Sequence, residues 1–166
     1  MRVLPADRGL RLIVACDGAA RGNPGPAGIG VAITDDRGTR VAEIAEGIGV
    51  ATNNVAEYTA AIRGLERARA LGASHLLVRS DSRLLVEQLS GRFTVKNPTL
   101  QRLHAQARSI AEDFESVRFE HVPRELNTEA DRLANEGVDA WLAGEGVPWS
   151  RPRPSPRLWE GEEEPR

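Results

Sequence analysis

The apolar pattern of the chain changes character once, near residue 52, and this change restricts the topology more than any other feature. Upstream lie three runs that read as strands. Residues 11–17 hold the continuous apolar run Leu12-Ile13-Val14-Ala15-Cys16 and end on Asp17; Ile29 to Thr34 and the roughly alternating Val41 to Ile48 follow. A Gly/Pro-rich segment joins the first two runs, and Asp36-Arg37-Gly38 is a hairpin signal before the third. Strands joined this closely pair antiparallel.

Downstream, helices alternate with strands. Thr52 starts a helix whose Tyr58, Ile62, Leu65 and Ala68 share one face, and Gly72 is its stop. His75 to Arg79 is a fourth strand and Leu84 to Leu89 a short helix. Pro98 to Phe114 is a longer helix, Val117 to Val122 a fifth strand, and Pro123 to Asn127 a loop. The last helix spans Thr128 to about Leu142. Strands separated by helices are parallel neighbours linked by right-handed crossovers. The expected class is α/β: a mixed five-stranded sheet, three antiparallel strands then two parallel ones, flanked by helices.

A chain of 166 residues fits one domain. We expect an N-terminal extension at 1–10, the folded domain at 11–142 and a tail at 143–166. The tail is rich in Pro and Gly, with an acidic patch at Glu162 to Glu164, and is expected to be largely disordered. Trp149 and Trp159 are its residues able to dock. No stretch approaches the roughly 18 apolar residues that cross a bilayer. The N-terminus lacks an apolar signal core, so the cytoplasm is the expected location. The single cysteine, Cys16, lies in an apolar run and reads as packing. His75 and His104 read as surface residues. No apolar seam asks for a dimer, so a monomer is expected. The net charge of −2 does not announce a nucleic-acid binder.

Four carboxylates occupy telling places. Asp17 ends the first strand and Asp81 the fourth. A right-handed crossover makes these strands neighbours, with their carboxyl ends at one edge of the sheet, where ligand sites gather. Glu57 lies early in the connecting helix and Asp131 in the first turn of the last one. Each acid also has a plain structural use: Asp17 in a turn, Asp81 as a helix cap, Asp131 toward a helix dipole, Glu57 in solvent. Together they would repel, by about 4 kcal/mol for two charges 4 Å apart at an effective dielectric of 20. Such a group persists by holding protons or by taking up cations. Oxygen donors suit Mg²⁺ or Mn²⁺, and no Cys/His set here suits zinc. Two such ions about 3.5–4 Å apart clamp an in-line phosphodiester displacement.

The motifs Asp17-Gly18 with Gly22-Asn23-Pro24-Gly25-Pro26-Ala27-Gly28, Thr52-Asn53-Asn54-Val55-Ala56-Glu57, Arg79-Ser80-Asp81-Ser82 and Asn127-Thr128-Glu129-Ala130-Asp131-Arg132-Leu133-Ala134-Asn135 occur in register. With them the chain resembles type 1 ribonuclease H, in the compact branch of archaea and many bacteria, across residues 12 to about 142. The resemblance implies endonucleolytic hydrolysis of the RNA strand of RNA–DNA hybrids, leaving 5′-phosphate and 3′-hydroxyl ends. It implies two ions, Mg²⁺ or Mn²⁺, with Asp17 bridging both, Glu57 and Asp81 holding the second and Asp131 completing the first. Asn23, Thr52 and Asn54 match positions that contact the hybrid's backbone, although Asn53 and Asn54 could instead precede and cap the helix. No obligatory protein partner is implied.

Two departures stand out. Where some members carry a mobile histidine, this chain has His121, expected to be fixed beside Val117 and Phe119, and Arg124; Arg124 is the preferred candidate for assisting at the site. The basic helix and loop of better-known members is replaced by Leu89 to Pro98, with only Arg92 and Lys96. The rival readings are a hybrid- or RNA-binding module, a nuclease for double-stranded RNA or junctions on the same fold, and one part of a bifunctional protein.

Overall fold

The computed structural model describes residues 9–144. Most of the expected extension at 1–10, the tail beyond Gly144, and with it Trp149 and Trp159, lie outside the described residues. The strands are β1 (Arg11–Ala20), β2 (Gly25–Asp35), β3 (Arg40–Ala51), β4 (His75–Ser80) and β5 (Ser116–His121). The helices are α1 (Asn53–Ala70), α2 (Arg83–Leu89), α3 (Pro98–Ala111) and α4 (Thr128–Ala143), with a 3-10 turn at Arg124–Leu126. The sheet has five strands in the order β3-β2-β1-β4-β5. β1 pairs antiparallel with β2 and β2 with β3, whereas β4 lies parallel to both β1 and β5. The expected mixed sheet is the one observed.

Leu12, Val14 and Cys16 of β1 and Ile29, Val31 and Ile33 of β2 turn into one core. Tyr58, Ile62 and Leu65 of α1 cover it, with Leu100, Ala107 and Ile110 of α3 behind them. α4 lies against β1, β2 and β3, most closely at glycines of β2 and β3: a Cβ built on Gly30 of β2 would stand 2.1 Å from the carbonyl oxygen of Ala130 in α4. α1 presses as closely on β1, where a Cβ on Gly18 would stand 2.2 Å from the carbonyl carbon of Ala56.

This close packing corrects the expected turn between the first two strands. β1 continues past Asp17 to Ala20 and β2 begins at Gly25, so only residues 21–24 bend. Gly18 and Gly28 lie inside strands and admit helices, where the sequence suggested turn formation, and Gly30, in the expected second strand, does the same. The helix from Pro98 also stops at Ala111, short of the expected Phe114.

Helix starts follow local chemistry. Thr52 caps α1 by accepting from the Val55 N–H at 3.2 Å, and Asn97 caps α3 through the Leu100 N–H at 3.0 Å. The Ser82 hydroxyl accepts from the Leu85 N–H at 3.2 Å, so Ser82 and not Asp81 caps α2.

Candidate active site

Four elements deliver the four acids to one edge of the sheet. Asp17, near the end of β1, is buried at 5% exposure. The parallel register pairs Ala15 with Arg79, which brings Asp81 level with Asp17 as the chain leaves β4. Because Ser82 takes the capping duty, the Asp81 carboxylate is left for the site. Glu57 arrives from α1, where its Oε1 accepts from the Gly18 N–H at 3.1 Å. Asp131 arrives in the first turn of α4 and hydrogen-bonds the Asp17 side chain.

Carboxylate oxygens of Asp17, Glu57 and Asp81 all lie within 4.8 Å of one another. All four acids line one cavity of about 480 Å³. Crowding and burial change their acidity. Burial, then the charge of Asp81 and the contact with Asp131, push Asp17 from 3.8 to about 8, against the opposing charge of Arg124. Burial first, then Asp17 and Asp81, push Glu57 well up, and the Gly18 hydrogen bond only partly offsets them. Burial also raises Asp81, with Arg124 and a hydrogen bond from Asn127 pulling it back. An assembly so reluctant to ionise fully is one that a cation would stabilise. The donors in the cluster are carboxylate oxygens, which suit hard divalent ions.

A family model described as reverse transcriptase-like matches residues 15–137. Ribonuclease HI of Halobacterium salinarum is 44% identical, over 82% of this chain and 69% of that protein. This chain belongs to the ribonuclease H family. Within that family, a bifunctional protein of Mycobacterium tuberculosis is 50% identical over 79% of this chain but only 36% of its own length. The chain therefore spans about a third of the mycobacterial relatives it matches. A ribonuclease H1 isolated from compost, solved in complex with an RNA/DNA hybrid, superposes with a TM-score of 0.76 and 46% identity, covering 79% of this chain and 99% of that one.

The remaining candidate residues lie in different surroundings. Arg124 lines the cavity, on the 3-10 turn before α4. His121 is exposed at the end of β5, whereas Val117 and Phe119 are half-buried. Its charge, when protonated, acts on Asp81 and Glu87. Asn23 is exposed, and its Oδ1 accepts from the Asn53 N–H at 2.8 Å. Asn54 is half-buried. Thr52 is buried at 2% exposure and its hydroxyl accepts from the Val55 N–H, so it fixes the start of α1.

Cys16 packs as expected, fully buried. His75 and His104 are not simple surface residues. His75 Nδ1 is 2.7 Å from Ser116 Oγ, and His104 Nε2 is 3.0 Å from the Gln88 carbonyl oxygen.

Three further residues line the cavity: Asn53, read from the sequence as able to precede and cap the helix, and Arg21 and Asn135, given no role there. Asn53 Oδ1 accepts from the Ala20 N–H at 3.2 Å, joining the end of β1 to α1. The i, i+4 spacing of Asn135 from Asp131 was the available signal for the last of them.

Proposed function

We propose that this chain is an endoribonuclease that hydrolyses the RNA strand of RNA–DNA hybrids with two divalent ions, Mg²⁺ or Mn²⁺, leaving 5′-phosphate and 3′-hydroxyl ends. The observation that carries this reading is the meeting of Asp17, Glu57 and Asp81 within 4.8 Å, with Asp131 on the same cavity. The relative solved with a hybrid supports the substrate class. By family analogy Asp17 would bridge both ions, Glu57 and Asp81 would hold one, and Asp131 would complete the other.

Bound ions would activate water and neutralise charge on the leaving oxygen. The chain's own groups do the rest. The buried carboxylates lose their retained protons on taking up cations, so loading favours higher pH. Asn23 and Asn54 present amides, which bond sugar and phosphate without reading bases. Arg124 offers a fixed positive charge beside the acids; a guanidinium holds phosphate but serves as no base at neutral pH.

The test is cleavage of a labelled hybrid in Mg²⁺ or Mn²⁺, beside double-stranded RNA and DNA, by wild type and Asp17→Asn. Wild type should cut the hybrid alone, and Asp17→Asn should fall by about 10²–10³-fold in rate, the scale of removing one group that stabilises developing charge. A hybrid bound but left intact by wild type would make the chain a binding module, and wild-type rates in Asp17→Asn would remove the site assignment.

A further inference from the structure

Asp131, Asn135 and Asp139 recur every fourth residue on α4 and so share one face of that helix. Arg21, in the bend between β1 and β2, reaches across to this face. Its Nη1 is 2.8 Å from Asp139 Oδ1, and its Nη2 donates to Asn135 Oδ1 at 3.1 Å and to the Asn135 carbonyl oxygen at 3.5 Å. Asn135 Nδ2 in turn donates to the Asp131 carbonyl oxygen at 3.0 Å and to Asp131 Oδ1 at 3.4 Å.

A guanidinium only donates, so Arg21 draws the amide oxygen of Asn135 toward itself and turns the NH₂ group onto Asp131. The result is a chain of carboxylate, guanidinium, amide and carboxylate that ends on the fourth acid of the site. Glu57 and Asp81 have holders of their own, the Gly18 N–H and Asn127. Asn135 fills that place for Asp131.

We propose that Arg21 and Asn135 are positioning residues that orient the Asp131 carboxylate for a divalent ion shared with Asp17. This rests on the reading of the four acids as ion ligands. Outer partners of metal-binding carboxylates are worth about 10–100-fold in metal affinity.

The experiment uses the full 166-residue chain. Mn²⁺ alone is titrated calorimetrically into wild type, Arg21→Ala, Arg21→Lys, Asn135→Ala and Asp17→Asn, with no nucleic acid present. Metal-free thermal midpoints and hybrid affinity in EDTA are measured alongside. Arg21→Ala and Asn135→Ala should each weaken Mn²⁺ by about 10-fold. Their hybrid affinity in EDTA should stay within about twofold of wild type, and cleavage should recover as Mn²⁺ is raised. Arg21→Lys should recover part of the Mn²⁺ affinity. Unchanged Mn²⁺ affinity with weakened hybrid binding would make Arg21 a phosphate contact and overturn the proposal. Unchanged Mn²⁺ affinity with a lowered midpoint would reduce the pair to a staple between turn and helix, and overturn it equally. Failure of wild type to bind Mn²⁺, or an unaltered titration in Asp17→Asn, would instead sink the reading beneath it.

Discussion

Asp17 combines deep burial with three acidic neighbours, and its carboxyl is held up to about 8 from 3.8. The folded chain therefore binds more protons than the unfolded chain between about pH 4 and pH 8. Stability must fall as pH rises through that window whenever no cation is present. Glu57 and Asp81 are shifted the same way and add to the slope. In EDTA, the thermal midpoint should drop from pH 5 to pH 8; Mg²⁺ or Mn²⁺ should restore it, more at pH 8 than at pH 5; and Asp17→Asn should flatten the slope. Scanning calorimetry across pH reads all three. The four acids were legible in the sequence because each lies at a strand end or a helix start, where topology alone decides which edge it reaches. Arg21 and Asn135 were not, since their contact joins residues 114 positions apart and depends on how α4 is rotated on the sheet. Thr52 is ambiguous for a related reason: a hydroxyl at a helix start suits a cap and a phosphate contact alike, and of the two the structure shows the cap.

At the level of elements, glycine sets the distance between β1 and α1, and hence between Asp17 and Glu57. Gly18→Ala would place a methyl group 2.2 Å from the Ala56 carbonyl carbon, with backbone on every near side. α1 would have to withdraw, taking Glu57 from its 3.1 Å hydrogen bond to the Gly18 N–H. Overpacking of this kind costs about 1–3 kcal/mol, and more where the obstacle is backbone. The thermal midpoint should fall, and the cleavage rate at saturating metal should fall with it. Helix starts were readable because they rest on local chemistry: Thr52 before α1, and Asn97-Pro98 before α3. The reach of β1 and β2 was not. Gly and Pro between residues 18 and 28 signal a turn by composition, yet most of those positions are extended strand that admits a helix. A single sequence does not distinguish a glycine kept for its backbone angles from one kept because a neighbour leaves no room.

For the whole molecule, the net charge of −2 and the short link between α2 and α3 bear on how it would grip a duplex. That link, residues 90–97, carries Arg92 and Lys96, and Arg92 is already paired with Glu87 at 2.5 Å. Few phosphates would be neutralised, so the logarithm of hybrid affinity should fall with the logarithm of salt at a slope of about −2 to −3. Filter binding or fluorescence anisotropy in EDTA at several salt concentrations measures it; a slope near −6 would show a basic surface elsewhere. The order of strands and helices was legible from the single switch in apolar pattern, because right-handed crossovers leave little freedom to the parallel half of the sheet. One consequence of that order concerns synthesis. Asp17, Glu57 and Asp81 belong to the first half of the chain, whereas Asp131 rides on α4, the last described element. A chain leaving the ribosome N-terminus first therefore carries three quarters of its centre well before the remainder. The half-made chain therefore holds the cluster of Asp17, Glu57 and Asp81 without the Asp131 that shares its cavity.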